Sequence, residues 1–83
     1  MADETAARVG DTVRAEMARN RVTQEDLARR LNLSQAAVSR RLNGDIPFNV
    51  SELATVGRAV GVPLNRLVAG ADRPARQPEA VAS

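Results

Sequence analysis

Two short helical segments joined by a two-residue turn constrain this fold more than any other feature of the sequence. They lie in residues 23–44, TQEDLARRLNLSQAAVSRRLNG. Thr23 and Ser34 are typical helix N-caps, and Asp26 stands at the third helical position after Thr23, as in a capping box. Asn32 tolerates the left-handed conformation that ends many helices. Because the turn is so short, we expect the two helices to cross at a steep angle and to need flanking helices to bury their apolar faces.

An amphipathic helix is predicted before this pair. Residues 5–20 predict one helix, because apolar side chains recur there every three or four positions. The apolar stripe consists of Ala6, Val9, Val13 and Met17. The polar residues that fall outside the stripe are Arg8, Arg14, Glu16 and Arg19. The pattern stops at residues 20–22, which predict a turn.

Two further helices are predicted after the pair. Gly44 suits a left-handed helix end, and Pro47 excludes helix from the loop that follows. The fourth helix is predicted over residues 51–60 and ends at Gly61, and Pro63 fits the first turn of a short fifth helix. The predicted apolar faces are Val50, Leu53, Val56 and Val60 in the fourth helix and Leu64, Leu67 and Val68 in the fifth.

These segments predict an all-α fold, a compact five-helix bundle with a helix-turn-helix, in one domain over residues 1–70. The chain has 83 residues, which suits a single domain of this kind. Residues 71–83 contain two prolines and no hydrophobic periodicity, so we predict a flexible, disordered C-terminal tail. No apolar run approaches the ~20 residues that a membrane helix needs, and the acidic N-terminus does not resemble a signal peptide. We therefore expect a cytoplasmic protein.

Two residue types that carry much of protein chemistry are missing from this sequence. It contains no cysteine and no histidine. Disulfides, thiolate chemistry and catalytic Ser-His or Cys-His pairs are therefore excluded, and a zinc site would need carboxylates alone. We predict that the protein is not an enzyme and uses no metal or other cofactor.

The third predicted helix, residues 35–43, has a distinct outward face. At about 100° per residue, Val38 and Leu42 point to the core. Arg40 then points almost directly away from them, and Ala36 also lies outward. The outward face is thus small, polar and cationic, which would let the helix enter the major groove of DNA.

Charge and chemistry both favour a contact between this helix and DNA. The helix contains no acidic residue, and residues 23–44 carry four arginines against two acidic residues. Glutamine can read adenine, arginine can read guanine, and an alanine methyl can contact the thymine methyl. Each residue alone also fits an ordinary solvated helix. The prediction therefore rests on the joint pattern of caps, turn length, charge and core spacing.

Residues 9–68 resemble the phage repressor/Cro family of helix-turn-helix proteins, also called the XRE family. The matching segments are TQEDLA (23–28), LSQ (33–35), VSR (38–40), NG (43–44) and GVPL (61–64), with Leu67. The sequence departs from the family pattern at Asn32, where glycine is common, and at residues 41–42, where an aromatic-acid pair is usual. The resemblance implies a five-helix domain that binds an operator in double-stranded DNA and represses transcription.

The resemblance also implies roles for individual residues. Those predicted to read bases are Gln35, Ala36, Ser39 and Arg40. The residues predicted to contact DNA phosphates are Thr23, Gln24, Arg41 and Asn43; of these, the resemblance assigns the role to Gln24 and Asn43. Gln24 matches a family glutamine that binds phosphate and braces the first glutamine of the recognition helix.

Three functions remain open from the sequence. The first is a sequence-specific repressor of the phage Cro or immunity-repressor type, which binds its operator as a homodimer because one recognition helix reads only a few base pairs. Its predicted dimer surface is formed by Leu64, Leu67 and Val68, which alternatively only close the monomer core. The second is an antitoxin that binds its toxin through residues 71–83 and represses its own promoter. The third is a protein-binding module that has lost DNA binding, and the polar face of the third helix argues against it. No small-molecule ligand is expected.

Overall fold

All regular structure in the described part of the chain is helical. The computed structural model describes residues 4–69, which form five helices and no strand. These helices are α1 (Glu4–Asn20), α2 (Gln24–Leu31), α3 (Gln35–Leu42), α4 (Val50–Val60) and α5 (Leu64–Leu67). The predicted all-α, five-helix fold is confirmed, and no helix within residues 4–69 has the length and apolar character needed to cross a membrane. The predicted tail at 71–83, on which the antitoxin alternative depended, lies outside the described residues.

Side-chain caps fix the starts of α2 and α3. The Oγ1 of Thr23 accepts a hydrogen bond from the backbone N–H of Asp26 at 3.0 Å, and the Asp26 carboxylate accepts one from the backbone N–H of Thr23 at 3.1 Å. At the start of α3, the Oγ of Ser34 accepts from the N–H of Ala37 at 3.1 Å. Both predicted caps are confirmed, and together they satisfy backbone donors that a helix start would otherwise leave unpaired.

The start of α4 differs from the prediction. The Oδ1 of Asn49 accepts from the N–H of Glu52 at 2.7 Å, and the Glu52 carboxylate accepts from the N–H of Asn49 at 3.0 Å. This second capping box starts the helix at Val50, one residue before the predicted Ser51. Val50 was predicted to lie on the apolar face, but it is 71% exposed. That prediction was wrong, because a side chain at the first helical position points back past the end of the helix.

Four helices end in the same way, at a residue in the left-handed conformation. These residues are Arg21, Asn32, Gly44 and Gly61, with φ of 58°, 59°, 85° and 77°. The following N–H groups bond to carbonyls five positions back, in the pairs Val22–Met17, Leu33–Ala28, Asp45–Arg40 and Val62–Gly57. This is the hydrogen-bond pattern of the Schellman motif. The apolar residues Val22, Leu33 and Val62 also pack against the core, so these helix ends are tied to the interior of the molecule.

One apolar core joins the helices of the described chain. Its most deeply buried members are Val13, Leu27, Val38, Leu42, Val56 and Leu67. The predicted inward pair of α3, Val38 and Leu42, is confirmed at 0% and 1% exposure. Phe48, the single aromatic residue, is half-buried and packs against this core from the loop before α4.

α5 closes the core and departs from the prediction in two respects. Pro63 is the N-cap of α5 and not a residue of its first turn, and Val68 lies just beyond the helix. Leu67 is 1% exposed and belongs to the core. The prediction that Leu67 forms a dimer surface was therefore wrong, because a helix of one turn packed on α1 and α4 turns this side chain inward.

α1 buries one residue that was predicted to lie outside its apolar stripe. Glu16 is the charged residue that the described chain buries. Its carboxylate pairs with the guanidinium of Arg19 at 3.0 Å and accepts a hydrogen bond from Nδ2 of Asn20 at 3.5 Å. These partners on the same helix offset the loss of hydration that burial of a charge entails.

Two glycines bring α1 directly against the C-terminal end of α3. A Cβ on Gly10 would overlap the carbonyl oxygen of Leu42, and a Cβ on Gly44 would lie 2.7 Å from the Cα of Ala7. Gly44 also has a φ of 85°, which glycine adopts at no steric cost. The close contact between the two backbones sets the position of α3 relative to α1.

Candidate nucleic-acid interface

The outward side of α3 carries the predicted base-reading residues. Because Val38 and Leu42 are buried, the opposite side of the helix is turned to solvent. Gln35, Ala36 and Arg40 are exposed, and Ser39 is half-buried. The structure thus brings these four residues onto one helix surface, with Ser39 at its margin.

Two side chains on this surface are available to another molecule. The guanidinium of Arg40 and the carboxamide of Gln35 make no hydrogen bond or ion pair with residues 4–69. The backbone of Arg40 is nevertheless held, because its carbonyl accepts from the N–H groups of Asp45 at 2.9 Å and Ile46 at 3.4 Å. The side chain of Arg40 therefore extends from a fixed backbone into solvent.

The two acidic residues of α2 are neutralised by an arginine of the same helix. On α2, Arg29 lies 3.8 Å from the carboxylate of Glu25 and 2.6 Å from that of Asp26. Hydrogen bonds from the backbone N–H and the side chain of Thr23 hold the pKa of Asp26 below its usual range, and the charge of Arg29 lowers it further. Asp26 is therefore ionised and engaged at neutral pH, and it does not compete for the arginines of α3.

Two residues predicted to contact DNA phosphates, Thr23 and Gln24, lie at the start of α2 in different surroundings. Thr23 is exposed and its side chain forms the cap of the helix. Gln24 is half-buried, and its side chain makes no hydrogen bond with the described residues. No hydrogen bond between Gln24 and Gln35 is present, so the bracing of one by the other stays a prediction.

Arg41 lies next to the outward face of α3, and its side chain is held by hydrogen bonds within the molecule. Its Nε donates to the carboxylate of Glu52 at 3.1 Å, and its Nη1 donates to the carbonyl of Ala37 at 3.0 Å. Both charged side chains are 15% exposed. Arg41 thus links α3 to α4, a role that the sequence did not indicate. Its Nη2 has no partner among the described residues, and its contact with a DNA phosphate stays a prediction.

Asn43, the C-cap of α3, has a partner that sequence reasoning missed. Its Oδ1 accepts a hydrogen bond from Nη2 of Arg14 at 2.9 Å, and both residues are exposed. Arg14 belongs to α1 and was assigned only to the polar side of that helix. The available signal was the pair of glycines, Gly10 and Gly44, which bring α1 close to the end of α3.

The candidate site is an open helical surface. Residues 4–69 contain no group of His, Cys, Asp or Glu side chains that could hold a metal ion, and their surface has no pocket. The exposed side chains of Gln35 and Arg40 offer hydrogen bonding and positive charge, both of which suit a polyanion with exposed base edges.

A known family matches almost the whole sequence. The family is described as the BetR domain, and the match covers residues 2–83. The chain belongs to the BetR domain family. BetR domains are a helix-turn-helix family, so the helix-turn-helix predicted from the sequence is confirmed at this level. The match is not specifically to the phage repressor/Cro family, and that narrower assignment stays a prediction.

Solved structures of other proteins share the fold of this BetR domain. The clp gene regulator ClgR from C. glutamicum has a TM-score of 0.75 at 22% identity, over 86% of this chain and 91% of that one. The hypothetical transcription factor NHTF from Neisseria has a TM-score of 0.68 at 21% identity, over 82% of each chain. A search of curated proteins found no significant match to the sequence of this chain.

Proposed function

We propose that this BetR domain is a DNA-binding transcriptional regulator, and more narrowly an operator-binding repressor of the phage type. The observation that carries the proposal is the outward face of α3. This face presents the unpaired guanidinium of Arg40 and the unpaired carboxamide of Gln35 beside the small side chain of Ala36. A helix with these properties fits the major groove, where arginine and glutamine distinguish guanine and adenine.

The proposed contacts divide into two classes. The base-reading residues are Gln35, Ala36, Ser39 and Arg40. The phosphate-contacting residues are Thr23, Gln24, Arg41 and Asn43. Two of the phosphate donors are specific atoms, Nη2 of Arg41 and Nδ2 of Asn43, which have no partner among the described residues. Phosphate contacts fix the register of the protein on the duplex, while base contacts supply specificity.

The similar structures support the same proposal. One is described as a clp gene regulator and the other as a hypothetical transcription factor. At this level of identity they show a shared fold, and a shared fold alone does not establish function. The argument for DNA binding in this chain therefore rests on its own α3 residues.

We propose that the protein binds its operator as a homodimer and represses by excluding polymerase. One recognition helix reads only a few base pairs, and a symmetric pair on half-sites about one helical turn apart gives useful affinity. Leu67 is not available for the dimer contact, because it is buried in the monomer core. The contact must instead use side chains that reach the surface.

The proposal is tested by selecting bound duplexes from a pool of random-sequence DNA. The enriched duplex and an unrelated duplex are then titrated with protein over a series of salt concentrations. We expect the enriched duplex to bind at least about a thousandfold more tightly than the unrelated one, and both affinities to fall as salt rises. Failure to enrich any sequence, with equally weak binding to all duplexes, would contradict the proposal.

Arg40→Ala tests the base-reading assignment. We expect it to lose about 1–3 kcal/mol of binding free energy on the enriched duplex and to relax specificity at one position. The matched control is Arg66→Ala, which removes the same charge from α5. In the described chain α5 packs on α1 and α4 but not on α2 or α3, so this variant should bind DNA nearly as well as the wild type. If the two variants bound the enriched duplex with equal affinity, Arg40 would not be a base-reading residue.

A further inference from the structure

α1 brings an arginine to the end of the proposed recognition helix. Arg14 and Asn43 are 29 positions apart in the sequence, yet the Nη2 of Arg14 lies 2.9 Å from the Oδ1 of Asn43. The cause is the glycine contact between the helices. Gly10, one helical turn before Arg14, packs against Leu42, the residue before Asn43. The backbone therefore holds the two polar side chains at the same edge of α3.

This hydrogen bond determines which way the carboxamide of Asn43 faces. Its oxygen accepts from the guanidinium of Arg14, so its Nδ2 points away from Arg14 as a donor. No residue of the described chain accepts a hydrogen bond from this nitrogen. The Nδ2 of Asn43 is thus a free hydrogen-bond donor at the C-terminal end of α3.

The charge of Arg14 is not neutralised within residues 4–69. Two neighbours on α1 are neutralised, since Arg8 pairs with Glu4 at 2.9 Å and Arg19 pairs with Glu16 at 3.0 Å. Arg14 has no ion pair of this kind with a described residue. A guanidinium has five N–H donors, and the bond to Asn43 leaves others free on an exposed side chain.

We propose that Arg14 and Asn43 together bind one phosphate of the DNA backbone beside the C-terminal end of α3. The free guanidinium N–H groups and the Nδ2 of Asn43 would donate to the same anion, and the positive charge would strengthen each hydrogen bond. Arg14 has a second effect, because it fixes the orientation of Asn43. The inference rests on the proposed function and adds a contact from α1, outside the helix-turn-helix.

The test uses the full chain, the enriched duplex and unrelated duplexes over a salt series. Arg14→Ala should weaken binding roughly tenfold on every duplex, leave the selected sequence unchanged, and reduce the slope of log affinity against log salt by about 0.9. Arg14→Lys retains the charge but lacks the planar donor fork. We expect Arg14→Lys to keep the wild-type salt slope and to recover part of the affinity.

A double-mutant cycle tests the link between the two residues. Because Arg14 orients Asn43, the loss caused by Arg14→Ala and Asn43→Ala together should be smaller than the product of the two single losses. A multiplicative loss would show that they act independently. If the wild type binds DNA specifically but Arg14→Ala binds like the Arg66→Ala control, the inference fails and the proposed function stands. Absence of DNA binding by the wild type would instead overturn the proposed function, and this inference with it.

Discussion

Arg21 holds a backbone conformation that arginine disfavours. Its φ is 58°, and the left-handed region costs a residue with a Cβ about 1–2 kcal/mol. The conformation lets the N–H of Val22 reach the carbonyl of Met17 at 2.9 Å and lets Val22 pack against the core. Asn32 occupies the same position at the end of α2, but asparagine tolerates this region better. The end of α1 is therefore under more local strain than the end of α2.

Replacing Arg21 by glycine should relieve this strain. We expect Arg21→Gly to raise the free energy of unfolding by about 0.5–1 kcal/mol, after the added entropy of glycine in the unfolded chain is subtracted. The measurement is urea denaturation followed by far-ultraviolet circular dichroism. Arg21→Ala is the matched control, because it removes the same charge and side chain but retains the strain. If Arg21→Gly were no more stable than Arg21→Ala, the strain at residue 21 would not exceed the entropy cost of glycine, and the prediction would be wrong.

At the scale of helices, one carboxylate holds α3 to α4. In the described chain the backbones of these two helices do not pack directly against each other. Oε1 of Glu52 accepts from Nε of Arg41 at 3.1 Å and from the N–H of Asn49 at 3.0 Å. The same oxygen therefore caps α4 and holds the last turn of α3. We infer that this bridge helps to keep the outward face of α3 in a constant orientation.

A double-mutant cycle measures the strength of the bridge. Glu52→Gln keeps an oxygen for the N–H of Asn49 and removes the charge, while Arg41→Met keeps most of the apolar stem. Each single change should cost about 1–3 kcal/mol of unfolding free energy, because it leaves a mostly buried charged group without the opposite charge that it pairs with. We expect a coupling energy between the two sites of at least about 0.5 kcal/mol. A coupling of zero in urea denaturation would mean that the ion pair contributes nothing.

The same scale shows what the sequence could and could not predict. The caps at Thr23 and Ser34 and the inward pair on α3 were predictable, because each depends on neighbours within one or two turns. The capping box of Asn49 and Glu52 also depends only on neighbouring residues. It was nevertheless missed, because Asn49 was assigned to the loop and α4 was predicted to begin at Ser51. The Arg14–Asn43 and Arg41–Glu52 pairs were not predicted, because they join residues that only tertiary packing brings together, and the two glycines that mark the first contact do not by themselves specify a polar pair. The face of α3 was thus predictable, while the residues that orient it were not.

Across the whole molecule, the helices proposed to contact DNA differ from the helices that hold them in place. α2 and α3 carry the proposed contacts with DNA, apart from Arg14 of α1, while α1 and α4 pack against that pair and α5 closes the core behind α1 and α4. With a single aromatic residue in the sequence, the core depends on close packing of aliphatic side chains. Removal of one of them should therefore affect the whole fold, even when it lies far from α3.

Leu67 offers the test of that cooperativity. Truncation of a fully buried leucine to alanine costs about 2–5 kcal/mol, a large part of the 5–15 kcal/mol that is typical of small domains. We expect Leu67→Ala to lower the stability of all five helices in one transition, with α3 unfolding together with α5. Val50→Ala is the control, since Val50 is 71% exposed and its loss should change stability by no more than about 0.5 kcal/mol. Urea denaturation by circular dichroism measures both, and sedimentation gives the oligomeric state. If Leu67→Ala left stability unchanged and instead dissociated a dimer, Leu67 would lie at an interface between subunits and the core described for the monomer would be incorrect.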